Sequence, residues 1–224
     1  KKLIQIKELP VIVLCAGLFV YFTLQGPNFI DGTGIMDDLK QYASYAMLAV
    51  GLTLIIGSAG IDISVGSILG FSTVLFGVVL SRTGMSLPAA CILAIAAGTA
   101  WGAFNGLAVA RWKLQPIVVT LSTMAAARGI AYVVAGIGIS SIPLPPRADP
   151  LVNATYSGPV PLVLALIVAV AGYLALSRTP FGRHILAIGS NEEASRLSGI
   201  DVARVKLWVY TIAGFLAGVA GVIT

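Results

Sequence analysis

Three polar constellations stand out in this chain because little else in it could do chemistry. The first is Asp62, in Gly60-Ile61-Asp62-Ile63-Ser64-Val65-Gly66, which joins two apolar runs. A carboxylate at or near membrane depth is costly and faces a cavity or a partner. Asp62 can act as a helix N-cap, accepting the backbone N–H of Ser64 or Val65 at the positive end of the next helix. It can also belong to a polar path, and the two roles are compatible. The second is Arg128, 12 residues beyond Pro116, or about 18 Å along a helix. There it must snorkel outward, find a buried partner or face a polar cavity. Ser64, Asn105, Gln115, Ser122 and Thr123 can line the same wet path. The third is Ser190-Asn191-Glu192-Glu193, which has capping-box spacing: Ser190 at the N-cap, Glu193 at N3, each satisfying the other's backbone donor. Ala194 and Leu197 then share a face, and Gly199 suits the left-handed position past the helix end. A short, firmly capped helix of this kind in a loop is expected to dock onto a partner.

Catalytic signatures are missing from the sequence. It contains no G-x-x-x-x-G-K-[ST] loop, no H-E-x-x-H and no G-x-S-x-G elbow. His184, the only histidine, sits among basic residues, and Cys15 and Cys91 lie inside apolar runs. No catalytic residue, resident cofactor or metal site is expected.

The elements that must position these residues follow from composition. Of 224 residues, 58% are hydrophobic and 10% charged, against about 45–50% apolar and about 25% charged in a soluble domain. Soluble enzymes, nucleic-acid-binding modules and disordered segments are excluded, which leaves an all-α polytopic membrane protein. Apolar runs cover Pro10–Leu24, Tyr42–Gly57, Ile63–Leu80, Pro88–Ala110, Pro116 to about Ile139, Val160–Leu176 and the residues from Leu207 onward. Read as seven crossings, they explain the net charge of +5. If Lys1, Lys2 and Lys7 are cytoplasmic, the acidic Asp31–Asp38 loop and the Pro-rich stretch Ser140–Pro159 lie outside. Arg111, Lys113 and the hydrophilic segment Ser177–Lys206 then fall inside, as the positive-inside rule requires. Gly98, Gly102 and Gly106 repeat every four residues, as do Gly66 with Gly70 and Gly214 with Gly218, which marks close helix packing. Both ends read as cut, with no initiator Met at Lys1 and an apolar run still open at Thr224.

Taken in order, Ala49-Val50-Gly51-Leu52-Thr53, Gly60 to Ser67, Asn105-Gly106, Gln115-Pro116, Thr120-Leu121, Arg128-Gly129, Thr179 to Arg183, Ala187-Ile188-Gly189, Asn191 to Ala194 and Ser198-Gly199-Ile200 resemble the permease subunits of bacterial ABC importers for ribose and related sugars. The resemblance runs along most of the chain. It implies one half of a dimeric, roughly ten-helix permease in the inner membrane, of which this is the N-terminal two-thirds. Residues 1–224 would form a single transmembrane domain, with 177–206 a cytoplasmic loop carrying the coupling helix. An ABC ATPase subunit, holding the ATP and Mg, would dock on Ser190–Gly199, and an extracytoplasmic sugar-binding protein would deliver the cargo. A secondary transporter that uses Asp62 and Arg128 for ion or proton coupling is the competing reading.

Overall fold

The computed structural model describes residues 9–25, 32–136 and 159–224, with only the backbone described for 32–35 and 37. Lys1, Lys2, Lys7, Asp31 and residues 140–158 of the Pro-rich stretch lie outside the described residues. The described residues form α1 (Leu9–Gln25), α2 (Gly32–Gly57), α3 (Val65–Arg82), α4 (Leu87–Ala110), α5 (Pro116–Ala135), α6 (Val160–Arg178), α7 (Pro180–Ser190), α8 (Glu192–Leu197) and α9 (Val202–Ile223). In hydrocarbon every backbone N–H and C=O must be satisfied internally, so apolar runs of this length become helices. Proline opens α5 and α7 and lies in the first turn of α4 and α6, where its missing N–H would have had no partner anyway.

Six stretches are long and apolar enough to cross a membrane: Asp38–Gly57, Val65–Arg82, Leu87–Ala110, Pro116–Ala135, Val160–Arg178 and Val202–Ile223. The seventh expected crossing is the shorter helix α1, whose 17 residues stand at the lower limit of about 17–25 for a span. Two boundaries differ from expectation. Helix α2 begins at Gly32, ahead of Tyr42, so Asp37, Asp38 and Lys40 are helical. The hydrophilic segment 177–206 holds α7, α8 and the first turn of α9. Helix α2 keeps its backbone bonded past the edge of its apolar window, whereas α7 and α8 are separate helices started by their own caps, Thr179 and Asn191.

The chain forms two units. Residues Lys1–Gln41 contain α1 and the first turns of α2, and Tyr42–Thr224 contain the rest. Within the second unit α9 is the central element, with 61% of its apolar window buried against 11% for α6. It packs along α4 through glycines on both helices. A Cβ placed on Gly98 would lie 2.8 Å from the Gly218 Cα, and one on Gly102 would lie 2.7 Å from the Gly214 Cα. Gly106 meets Leu207 in the same way. Gly66 and Gly70 behave differently, because among the described residues no neighbouring element comes within 4 Å of a Cβ at either.

Gly102→Val should therefore force α4 and α9 apart and cost at least about 2 kcal/mol, seen as a lower thermal midpoint in detergent. Gly66→Ala should leave the midpoint unchanged or raise it slightly, since alanine is the better helix former. Equal effects at the two sites would contradict the packing described.

Candidate functional site

The joint between α2 and α3 is built to keep a half-buried loop bonded, with Ser58, Gly60, Asp62 and Ser64 inside and Ala59, Ile61 and Ile63 exposed. The Ser58 N–H donates to Leu54 O and Ile55 O, Ala59 N–H to Ile56 O, and Gly60 N–H to Ile55 O. This closure puts Ala59 in the left-handed region at φ +56, at a cost of about 1–2 kcal/mol for a residue with a Cβ. The Tyr210 hydroxyl of α9 donates to Ile61 O at 3.1 Å. Asp62 follows, and its Oδ1 accepts the Ser64 N–H at 2.7 Å and the Ser64 hydroxyl at 2.6 Å. Asp62 thus bonds the backbone donor expected of a cap. The N-cap position itself, however, is Ser64, whose side chain makes no cap bond, so Asp62 acts from two residues further out.

From Ser64 the bonding continues across two more helices. The Asn105 amide of α4 donates to Ser64 Oγ at 2.9 Å, and the Thr123 hydroxyl of α5 donates to Asn105 Oδ1 at 2.6 Å. Ser64 gives its only proton to Asp62, so it must accept from the Asn105 NH₂, and this fixes the amide orientation. Ser64 and Asn105 are fully buried, and Asp62 and Thr123 nearly so. Asn105 lies five residues before the end of α4 and Thr123 seven past the start of α5, placing the chain of bonds about 8–10 Å in from those ends. Every donor points toward the carboxylate, so each bond polarises the next. With its groups satisfied and nothing acting as a base on a nucleophile, the arrangement is a brace joining three helices.

Four of the seven expected path residues, Asp62, Ser64, Asn105 and Thr123, meet in that brace. The other three do not join it. Ser122 is exposed and its hydroxyl returns to Val118 O at 2.8 Å. Arg128 is exposed on α5, with its Nη2 3.5 Å from Ser67 Oγ, the outer limit of a hydrogen bond. Gly129 beside it, like Gly66 and Gly70, has open space where a Cβ would stand. Gln115, grouped with the path by sequence, lies instead at the N-terminus of α5 and lines a surface cavity of about 620 Å³ with Lys113, Glu192, Arg196 and Lys206. Among the described residues no group of His, Cys, Asp and Glu is placed to hold a metal ion.

The expected surface helix is α8, with its start shifted by one residue. Ser190 ends α7, its hydroxyl bonded to Leu186 O at 2.9 Å. It is therefore part of a helical ladder and cannot take the extended conformation of a cap. Asn191 does so (φ −160, ψ 105), and its side chain accepts the Ala194 N–H at 2.9 Å. Glu193 does not return to the backbone; it pairs with Arg196 at 3.2 Å. Glu192 pairs with Arg196 at 3.0 Å and with Lys206 of α9 at 2.6 Å. The end closes as expected: Gly199 at φ +86 lets its N–H reach Arg196 O and the Ile200 N–H reach Ser195 O. Ala194 is exposed and Leu197 is 82% exposed. The short α7 was missed in the sequence, although Thr179-Pro180 announces it, with Thr179 accepting the Gly182 N–H at 3.2 Å.

Thr123→Val should leave Asn105 Oδ1 unpaired and cost about 1–3 kcal/mol, while Ser122→Ala stays within about 0.5 kcal/mol; thermal unfolding in detergent distinguishes them. The Lys206 ammonium, hydrogen-bonded to Glu192, holds that carboxyl below its usual value. The pair is therefore fully formed above the ordinary carboxylate range and is lost only as pH falls through the lowered value. Amide protection over residues 192–197, taken relative to the intrinsic exchange rate at each pH, should hold through neutral pH and fall only in acid below that range. Loss of protection already near neutrality would contradict the assignment.

Residues 35–224 match the family described as "Branched-chain amino acid transport system / permease component". The ribose import permease protein RbsC of Haemophilus influenzae is 35% identical over 214 residues, covering 92% of this chain and 65% of that protein. The fructose import permease protein FruF of Bifidobacterium longum is 37% identical over 187 residues, covering 82% of this chain and 52% of the relative. The inner membrane ABC transporter permease protein YjfF of Escherichia coli is 33% identical over 228 residues, 97% of this chain and 68% of its own. The chain spans somewhat less than two thirds of the ribose permeases it matches. No solved structure matches it significantly. With six helices of spanning length and a family match from residue 35 to residue 224, the chain belongs to the branched-chain amino acid transport system / permease component family.

Proposed function

We propose that this chain is a membrane-spanning permease subunit of an ATP-driven ABC importer that forms the path for a monosaccharide. The observation that carries the reading is α8. Both its ends are capped, its acidic residues are tied to Arg196 and Lys206, and Leu197 is turned out to solvent. An ordered helix that exposes its one large apolar side chain gains by covering it, and a cytoplasmic ATPase is the partner such a permease requires. ATP and Mg belong to that partner, and this chain brings no cofactor of its own. The turn at Arg111–Lys113 and α8 share one cavity. By the positive-inside rule Arg178, Arg183, Arg196, Arg204 and Lys206 would belong with that turn on the cytoplasmic side, and a cytoplasmic N-terminus would follow if α1 is also a crossing.

Arg128 supports the path. A guanidinium within a span is costly in hydrocarbon, and the one contact described for Arg128 is a weak one to Ser67 Oγ at 3.5 Å. The side of α5 that bears it, together with Ser122, Gly129 and the open glycines of α3, would face polar space shared with a second permease subunit. A guanidinium offers five N–H donors, which suits a neutral cargo rich in hydroxyls delivered by an extracytoplasmic binding protein. The names of the relatives, ribose and fructose import permeases, favour a sugar. Ion coupling is disfavoured because a matched relative is named an ABC transporter permease and Asp62 Oδ1 is already held by Ser64. Asp62, Ser64, Asn105 and Thr123 would then hold the wall of the path, with Arg128 and Ser122 facing it.

In the full-length permease, Leu197→Asp should abolish co-purification of the ATPase while membrane insertion persists. Arg128→Gln should keep the ATPase but lower uptake into proteoliposomes about tenfold or more. Normal co-purification of the first variant, or uptake driven by a proton gradient without ATP, would overturn the proposal.

A further inference from the structure

One face of α9 touches both the surface helix and the intramembrane joint. Lys206, Tyr210, Gly214 and Gly218 follow at intervals of four, which places them in one row along the helix. At the lower end of the row, Lys206 Nζ meets Glu192 Oε2 of α8 at 2.6 Å, and the lysine side chain is only 13% exposed. The neighbouring Arg204–Asp201 pair is looser, at 3.4 Å with side chains 75% and 55% exposed, and it joins residues of the same turn. The Lys206 pair is thus the more shielded of the two, although the Glu192 side chain is 42% exposed, and it links separate helices.

One turn further along, Tyr210 is fully buried and its hydroxyl holds Ile61 O. The fit there is close, since a Cβ on Gly60 would come within 2.9 Å of that hydroxyl. Ile61 precedes Asp62, where the brace through Ser64, Asn105 and Thr123 begins. Beyond Tyr210, Gly214 and Gly218 press the row onto α4, the helix that carries Asn105. A single turn of helix, about 6 Å long, therefore separates a grip on α8 from a grip on the α2–α3 joint.

We propose that Lys206 and Tyr210 form a transmission row that converts movement of α8 into displacement of the α2–α3 joint and its brace. Both are positioning residues, and neither is assigned a contact with cargo or with the ATPase. The inference rests on the reading of α8 as the ATPase dock. An α8 displaced by its partner pulls on Lys206 through Glu192, and α9 moves as a rod because its backbone is hydrogen-bonded throughout. Tyr210 then carries Ile61 with it.

The test uses the full-length permease with its ATPase and binding protein in proteoliposomes, measuring ATPase retention and sugar taken up per ATP hydrolysed. Lys206→Met and Tyr210→Phe should each retain the ATPase and lower uptake per ATP about tenfold, while the double variant is no worse than the weaker single one, as for two links in one chain. Lys206→Arg, which keeps the charge, should stay within about twofold of wild type. Wild-type coupling in either single variant, losses that multiply in the double variant, or equal loss in Lys206→Arg and Lys206→Met would overturn the transmission row. A wild-type complex that fails to retain the ATPase would overturn the docking reading itself. Tyr210→Phe alters only a hydroxyl, so its result stands even if Lys206→Met folds poorly.

Discussion

An unsatisfied polar group in hydrocarbon costs several kcal/mol, and the Asp62 carboxylate is the most exacting such group buried in this fold. It belongs to a non-helical segment, residues 58–64, whose alternate residues turn into the second unit, and the surrounding helices keep that segment bonded. Ser64 meets the carboxylate directly, Asn105 meets Ser64, and Thr123 meets Asn105. Tyr210 secures the preceding carbonyl. The positions of α3, α4, α5 and α9 are thus tied to one another by polar groups that have no water to fall back on.

Apolar packing alone would not give that register. Most side chains on α4 are small, and helices coated with alanine and glycine can slide along one another at little cost. Contact of backbone on backbone at Gly98, Gly102, Gly214 and Gly218 brings α4 and α9 close. The hydrogen bonds of Asn105 and Tyr210 then set how far along they sit. Closeness and register come from different residues on the same pair of helices.

Much of this was legible in the sequence. Spans could be counted because apolar runs in lipid have one backbone solution. Asp62, Asn105 and Thr123 stood out because polar residues in such runs are rare. What could not be read was which of them would meet. Ser122 and Thr123 are adjacent and chemically alike, yet a rotation of about 100° per residue turns one to its own helix and the other to Asn105. The cap of α8 was misplaced by one residue because Ser190 and Asn191 are both good caps. The choice depended on how far α7 would run, and α7 itself was hidden in a stretch of mixed polarity. Gly199 was read correctly, since a left-handed turn at a helix end leaves few alternatives to glycine.

The brace is also compatible with assembly in chain order. If the hairpin of α2 and α3 enters the bilayer before α4 and α5, Asp62 would be a bare charge there were its partners all distant. Its first two donors are the N–H and O–H of Ser64, two residues away, so the hairpin carries its own satisfaction on insertion. That leaves the Ser64 oxygen to accept from Asn105 when α4 arrives, and Asn105 in turn to accept from Thr123 when α5 follows. The order of the bonds, 62 to 64 to 105 to 123, is the order in which the ribosome delivers the residues, so each new helix completes the one before it.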